Sequence, residues 1–223
     1  MNYNLMLVTD TFKKVKTEGI CMMKKTIIFI SVILFAAFVS VPNSDAKGFP
    51  SNYVVLKLGG FFPVGSDLDD INADAGFNGE FSLGHYIAPG FAVEGAVGYF
   101  ETKGSLSIPG ASVEEKFEVI PLTISLRGQV PYGRFEPYGF IGLGVYFVDD
   151  KISGSIPSLG LSGSDSDNDT SLGFHIGIGG NYTLMNNLFI GVETRYLYFQ
   201  TNTFDVDFTL QGVTLTGNIG YRF

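Results

Sequence analysis

The sequence predicts an all-β fold: an eight-stranded antiparallel up-and-down transmembrane β-barrel, preceded by a cleavable helical signal peptide. Three observations carry this. Glycine-rich alternating stretches recur from Tyr53 onward, the segments between them alternate between short turns and long polar stretches, and one apolar run near the N-terminus has the flanks of an export signal.

The apolar run is Thr26 to Val41, TIIFISVILFAAFVSV, with Lys24 and Lys25 before it and Pro42-Asn43-Ser44-Asp45-Ala46 after it. A basic start, an apolar stretch and small residues at Ser44 and Ala46 make a secretory signal cleaved after Ala46. The run falls short of the ~20 apolar residues that a spanning helix needs. Residues 1–46 are therefore read as leader and 47–223 as the barrel domain. Met1 to Cys21 has no place in an ordinary signal, which puts the expected start of translation at Met22 or Met23.

In order, strands are expected near Tyr53–Val64, Gly76–Tyr86, Phe91–Glu101, Glu115–Gln129, Phe135–Val148, Thr170–Tyr182, Leu188–Phe199 and Thr209–Phe223. Short turns fall at 87–90, 130–134 and 183–187. Long loops fall at 65–75, 102–114, 149–169 and 200–208. An up-and-down barrel of eight strands needs three turns on one side and four loops on the other, and outer-membrane barrels put the turns toward the periplasm.

Alternation supplies a lipid face. In the last strand Val213, Leu215, Gly217, Ile219, Tyr221 and Phe223 share one side, against Thr214, Thr216, Asn218, Gly220 and Arg222. In the fifth, Ile141, Leu143, Val145 and Phe147 oppose Phe140, Gly142, Gly144 and Tyr146. Apolar outside and small or polar inside suits hydrocarbon, where every backbone group must pair and only helices or closed sheets manage it. A soluble sandwich alternates too, but leaves the acidic loops and the C-terminal pattern unexplained.

Aromatics collect near predicted strand ends and read as interfacial girdles: Phe61, Phe62, Tyr86, Phe91, Tyr99, Phe100, Tyr146, Phe147, Tyr182, Phe189, Tyr196, Tyr198, Phe199, Tyr221 and Phe223. Pro121 falls inside the fourth strand, where it cannot donate to a ladder, so a bulge or a local break is expected there.

The same parity turns Lys57, Glu80, Glu94, Arg127, Glu136, Glu193, Arg195 and Arg222 toward the lumen. An eight-stranded barrel has room for little beyond side chains. Desolvated charges need partners, so these eight are expected to form an ion-pair network that closes a wide pore. Glu193 and Arg195, at i and i+2, are the candidate lock or gate. Few apolar residues carry luminal parity.

Composition narrows the partners. Beyond Ala46 the chain holds nine basic and nineteen acidic residues and no cysteine. Nucleic-acid binding is excluded for want of a basic face, and no disulfide can staple the fold.

The opening YVVLKLGGFFPVGSD and the closing GNIGYRF resemble the small outer-membrane β-barrel superfamily that includes OmpX, the OmpA membrane domain and OmpW. The resemblance covers nearly all of residues 47–223. Terminal Phe223, with Tyr221 two places before it, is similar to the signal read by the barrel-assembly machinery. The resemblance therefore implies that machinery and periplasmic chaperones as partners, and an outer-membrane location among membrane lipid and lipopolysaccharide. A monomer is expected.

The sequence offers no catalytic or cofactor motif. His85 lies on the apolar parity and His175 on the luminal one, and neither has a Ser and a carboxylate at a spacing that suggests a triad, so no enzyme is expected. Asp165, Asp167 and Asp169, at i, i+2 and i+4 of a loop, are weak divalent-ion candidates, with Asp149 and Asp150 near them. An EF-hand is ruled out, because Thr170 and Ile176 replace its essential glycine and glutamate. Two roles remain: a structural or surface-interaction barrel, and a narrow porin-like channel or small-solute carrier, apolar solutes included.

Overall fold

A computed structural model describes residues 51–64, 73–108, 111–156, 161–185, 187–203 and 206–223. The predicted leader lies outside them. Eight strands follow one another: β1 (Asn52–Pro63), β2 (Gly76–Ala88), β3 (Phe91–Ile108), β4 (Ala111–Gln129), β5 (Phe135–Ile156), β6 (Leu161–Met185), β7 (Leu188–Thr203) and β8 (Val206–Arg222). Each pairs antiparallel with its neighbours, and β1 pairs with β8 from Tyr53↔Arg222 to Pro63↔Gly212, closing the barrel. The chain ends meet through reciprocal bonds between Asn52 and Phe223 (2.9 and 2.8 Å).

Sequence dictates the turns directly. Gly90 and Gly133 adopt φ of 81° and 64°, and Asn187 adopts 76°, the left-handed region that these residue types tolerate best. These three tight connections share one end with the paired termini.

The opposite end departs from expectation. Residues 102–108, 111–114, 149–156, 161–169, 200–203 and 206–208, read as loops, continue the ladders: β5 and β6 stay in register out to Ile156↔Leu161, and β7 and β8 to Thr203↔Val206. Away from hydrocarbon neither face need be apolar, so the alternation disappears while backbone pairing goes on. Long polar hairpins result.

Pro121 gives a lapse and not a bulge. Pairing with β3 stops at Val97↔Leu122 and resumes at Phe100↔Val119 in an unchanged register. The missing pairs are those in which residue 121 would donate toward β3, while pairing with β5 is continuous through Pro121↔Tyr146. Gly98 faces the ring, and a Cβ there would meet Pro121 Cγ at 3.2 Å.

Outside, the band is apolar: Leu56, Leu58, Phe81, Ile124, Leu126, Ile141, Leu143, Ile176, Ile178, Val192, Leu215 and Ile219 are all exposed. In water such a surface would aggregate; in a bilayer it is the buried one.

Candidate functional site: the barrel interior

The lumen is filled in layers. At the turn end Tyr53, Val55, Ala92 and Phe189 pack together with Tyr86. Near the other end Phe61, Phe100, Phe117, Val119, Tyr146, Val148, Leu197, Phe199 and Leu210 form a second apolar cluster. This corrects two expectations. Luminal apolar residues are many, and Phe61, Phe100, Tyr146, Phe189 and Phe199 are buried inside instead of lying in girdles. Parity decides the side an aromatic faces; nearness to a strand end does not. Phe62, Phe91, Tyr182, Tyr221 and Phe223 do face outward.

Glycines make the inner rings fit. An added Cβ would lie 1.9 Å from the Tyr53 ring at Gly84, 2.4 Å from the Phe140 ring at Gly177 and 2.4 Å from the Tyr138 ring at Gly179. Each ring covers the glycine that pairs with it on the next strand. The glycine content is thus a packing requirement of a narrow barrel.

Between the apolar layers lie the charges. Lys57, only 1% exposed, reaches Glu94 at 2.8 Å, Glu80 at 3.0 Å and Glu193 at 3.0 Å. Arg195 grips Glu80 with two nitrogens at 2.5 and 2.8 Å and Glu193 at 2.8 Å. Arg127 donates to Glu94 at 3.3 Å and stacks 3.5 Å from the Tyr138 ring centroid. Three cations thus meet three carboxylates, so the cluster is neutral. Arg222 and Glu136 form a separate pair nearer the turn end, and Arg222 also donates to Thr183 at 2.9 Å. All eight residues chosen by parity sit inside, six in one network and two in the pair.

Three partners escaped the sequence reading. Tyr53 donates to Glu94 at 2.8 Å, Tyr138 donates to Glu193 at 3.0 Å, and Asn218 donates to Tyr138 at 3.2 Å. Tyr138 lies two residues from luminal Glu136, so parity would have found it. The Ser125 hydroxyl lies 2.7 Å from His175 Nε2, a contact that sequence spacing does not reveal. Fifty residues separate them, and only the β4–β5–β6 register brings them together. Among the described residues His175 Nδ1 has no hydrogen-bond partner and no carboxylate stands beside it as a third member of a triad; both side chains are buried. His85 Nδ1 lies 2.8 Å from Asn52 Oδ1.

Asp165, Asp167 and Asp169 lie on strand β6 and not in a loop. Alternate residues of a strand are about 7 Å apart, whereas oxygens around one calcium ion each lie about 2.4 Å from it. Asp169 accepts from Ser171 at 3.0 Å and Thr201 at 2.7 Å. Among the described residues no three acidic, histidine or cysteine side chains gather as a metal site.

Residues 31–223 match the family model described as outer membrane protein beta-barrel domain. The fold is shared with solved structures at low identity. Neisserial surface protein A is 18% identical, with 79% of this chain and 100% of that one covered and a TM-score of 0.50. OprG from Pseudomonas aeruginosa is 14% identical, with 79% and 98% covered and a TM-score of 0.51. No curated protein matches the chain.

Proposed function

As the chain belongs to the outer membrane protein beta-barrel domain family and so resides in the cell outer membrane, we propose that its barrel is a closed anchor, plugged by its own side chains, that presents extended acidic hairpins at the cell surface. One observation carries the reading: the network around Lys57 is neutral, buried and sandwiched between two packed apolar layers. A conducting path needs water or mobile ions along the axis, and here side chains take that place. The hairpins, beyond hydrocarbon, are free to vary and to meet partners.

On this reading the barrel acts as a monomer among outer-leaflet lipopolysaccharide, after periplasmic chaperones and the assembly machinery have delivered it. Tyr221 on the outer face of β8 and Phe223 just beyond that strand, both exposed, are the side chains offered to that machinery. Planar-bilayer recording of the purified barrel tests the plug. Silence is expected, in the wild type and in Arg195→Ala alike. Steady unitary conductance, altered by Arg195→Ala, would replace the anchor with a narrow channel.

A further inference from the structure

The two apolar layers that enclose the charges are unequal. Among the described residues the outer one draws side chains from β1, β3, β4, β5, β7 and β8. The turn-end layer, Tyr53, Val55, Ala92 and Phe189 with Tyr86, draws on β1, β2, β3 and β7 alone. The side it leaves uncovered, along β5, β6 and β8, is polar, and holds Glu136, Asn181, Thr183 and Arg222.

Asn181 stands out among these four. It is 1% exposed, and among the described residues neither its Nδ2 nor its Oδ1 has a hydrogen-bond partner. A carboxamide offers two donors and two acceptor lone pairs, and leaving it dry in a low-dielectric interior is costly enough that most buried side-chain amides are satisfied. Register fixes its surroundings. Glu136 on β5 and Gly191 on β7 are its cross-strand partners. A Cβ at Gly191 would lie 2.3 Å from Asn181 Oδ1, so the amide leans over that glycine toward Asn218, the partner of Gly191 on β8. Asn218 donates to Tyr138 at 3.2 Å, and Tyr138 to Glu193 of the ionic network at 3.0 Å. On the turn side stands the Arg222–Glu136 pair, with Arg222 donating to Thr183 at 2.9 Å.

The geometry points to a water-binding site at Asn181, entered from the turn end, which leaves the plug wet on its periplasmic side and dry on its outer side. Chemistry selects water over an ion or an organic solute. The amide needs a donor and an acceptor at once, and water supplies both. The flanking Arg222–Glu136 pair is balanced, so no net charge calls for an ion. The Tyr138 ring, packed on Gly179, narrows the lumen beside the site and favours the smallest ligand. Thr183 is half-buried, and the Glu136 and Arg222 side chains keep 11% and 9% of their surface exposed, so solvent meets this side of the lumen at the turns. Dryness on the outer side rests on the closed plug proposed above.

Water-edited solid-state NMR of the full chain in deuterated lipid vesicles tests the site. Magnetisation from water is expected at the Asn181 and Asn218 amides and not at Leu197 or Phe199 of the outer layer. In Asn181→Leu, of nearly equal volume, transfer to Asn218 should be lost while Thr183 keeps it. Transfer to Asn218 that survives this substitution would place the water elsewhere and overturn the site. The wild-type readings decide the matter whether or not the variant refolds. A dry Asn181 in a barrel that stays silent in planar bilayers overturns the water site and spares the closed plug, whereas equal transfer to Leu197 and Phe199 overturns both.

Discussion

Replacing Lys57 with methionine removes one charge at nearly constant volume and tests whether the interior is held by neutrality or by packing. The carboxylates would not be left bare. Glu80 keeps both contacts to Arg195, Glu94 keeps Arg127 and Tyr53, and Glu193 keeps Arg195 and Tyr138. What changes is the sum, since two cations would face three carboxylates inside a barrel surrounded by hydrocarbon. Breaking a buried ionic group by removing one partner costs about 3–5 kcal/mol, and Lys57→Met is expected in that range. Lys57→Met/Glu94→Gln restores neutrality and should recover about 1–3 kcal/mol of the loss, a coupling typical of residues in contact. Urea-dependent folding into lipid vesicles, followed by the mobility difference of folded and heated samples on gels, measures both. A Lys57→Met loss below about 1 kcal/mol, or a double variant less stable than the single one, would refute the claim that charge balance organises the core.

Packing against glycine predicts a contrast. Gly179→Val places a Cβ 2.4 Å from the Tyr138 ring and 2.7 Å from the Val192 carbonyl and should cost about 1–3 kcal/mol, whereas Gly95→Ala, with nothing within 4 Å, should stay within about 0.5 kcal/mol; the same vesicle assay reads both. Phe199→Ala empties part of the outer apolar layer and should cost about 3–5 kcal/mol, while Phe91→Ala on the lipid side should cost clearly less. Hydrogen bonding from Lys151 first, and then from Lys116 and Tyr99, against the opposing effect of desolvation, holds the Glu118 carboxyl down at about 2 from its ordinary 4.5. Its folded pKa is depressed, so its contribution is complete above pH about 4.5 and is lost as pH falls toward 2; hydrogen exchange of the β4–β5 hairpin should speed up across that window in the wild type and change less in Glu118→Gln.

Strand number, order, turn positions and luminal charges were legible because each rests on a local pattern. Period-two alternation sets the face, and Pro89-Gly90, Gly133 and Asn187 set the turns. Three features depend on register or environment and were not legible. Ser125 meets His175 only because β4, β5 and β6 align as they do. The polar hairpins were mistaken for loops because alternation is a signature of contact with lipid, while pairing needs only a neighbour. The inner aromatics were misassigned because aromatic residues suit both an interface and a core. Parity separates the two: Tyr146 shares a face with Phe140 and Gly144, so it had to point inward.

An interior this constrained says little about role. The Tyr53, Tyr138 and Phe140 rings each require a glycine across the ladder, and each inner charge requires a counter-charge on another strand, as Lys57 on β1 requires Glu80 on β2, Glu94 on β3 and Glu193 on β7. A single substitution there disturbs several strands at once, so the lumen is a poor place to build a new activity. The outer wall of β3, β4 and β5 beyond Tyr99 is under no such demand. A row of lysines over a row of carboxylates is not needed to close the barrel, and the like-charge pairs Lys103↔Lys116 and Lys116↔Lys151 work against it. The like charges there are answered by the carboxylates of the next row: Glu101 and Glu118 hold Lys116, and Glu118 holds Lys151, so the wall settles its own charge without help from the lumen.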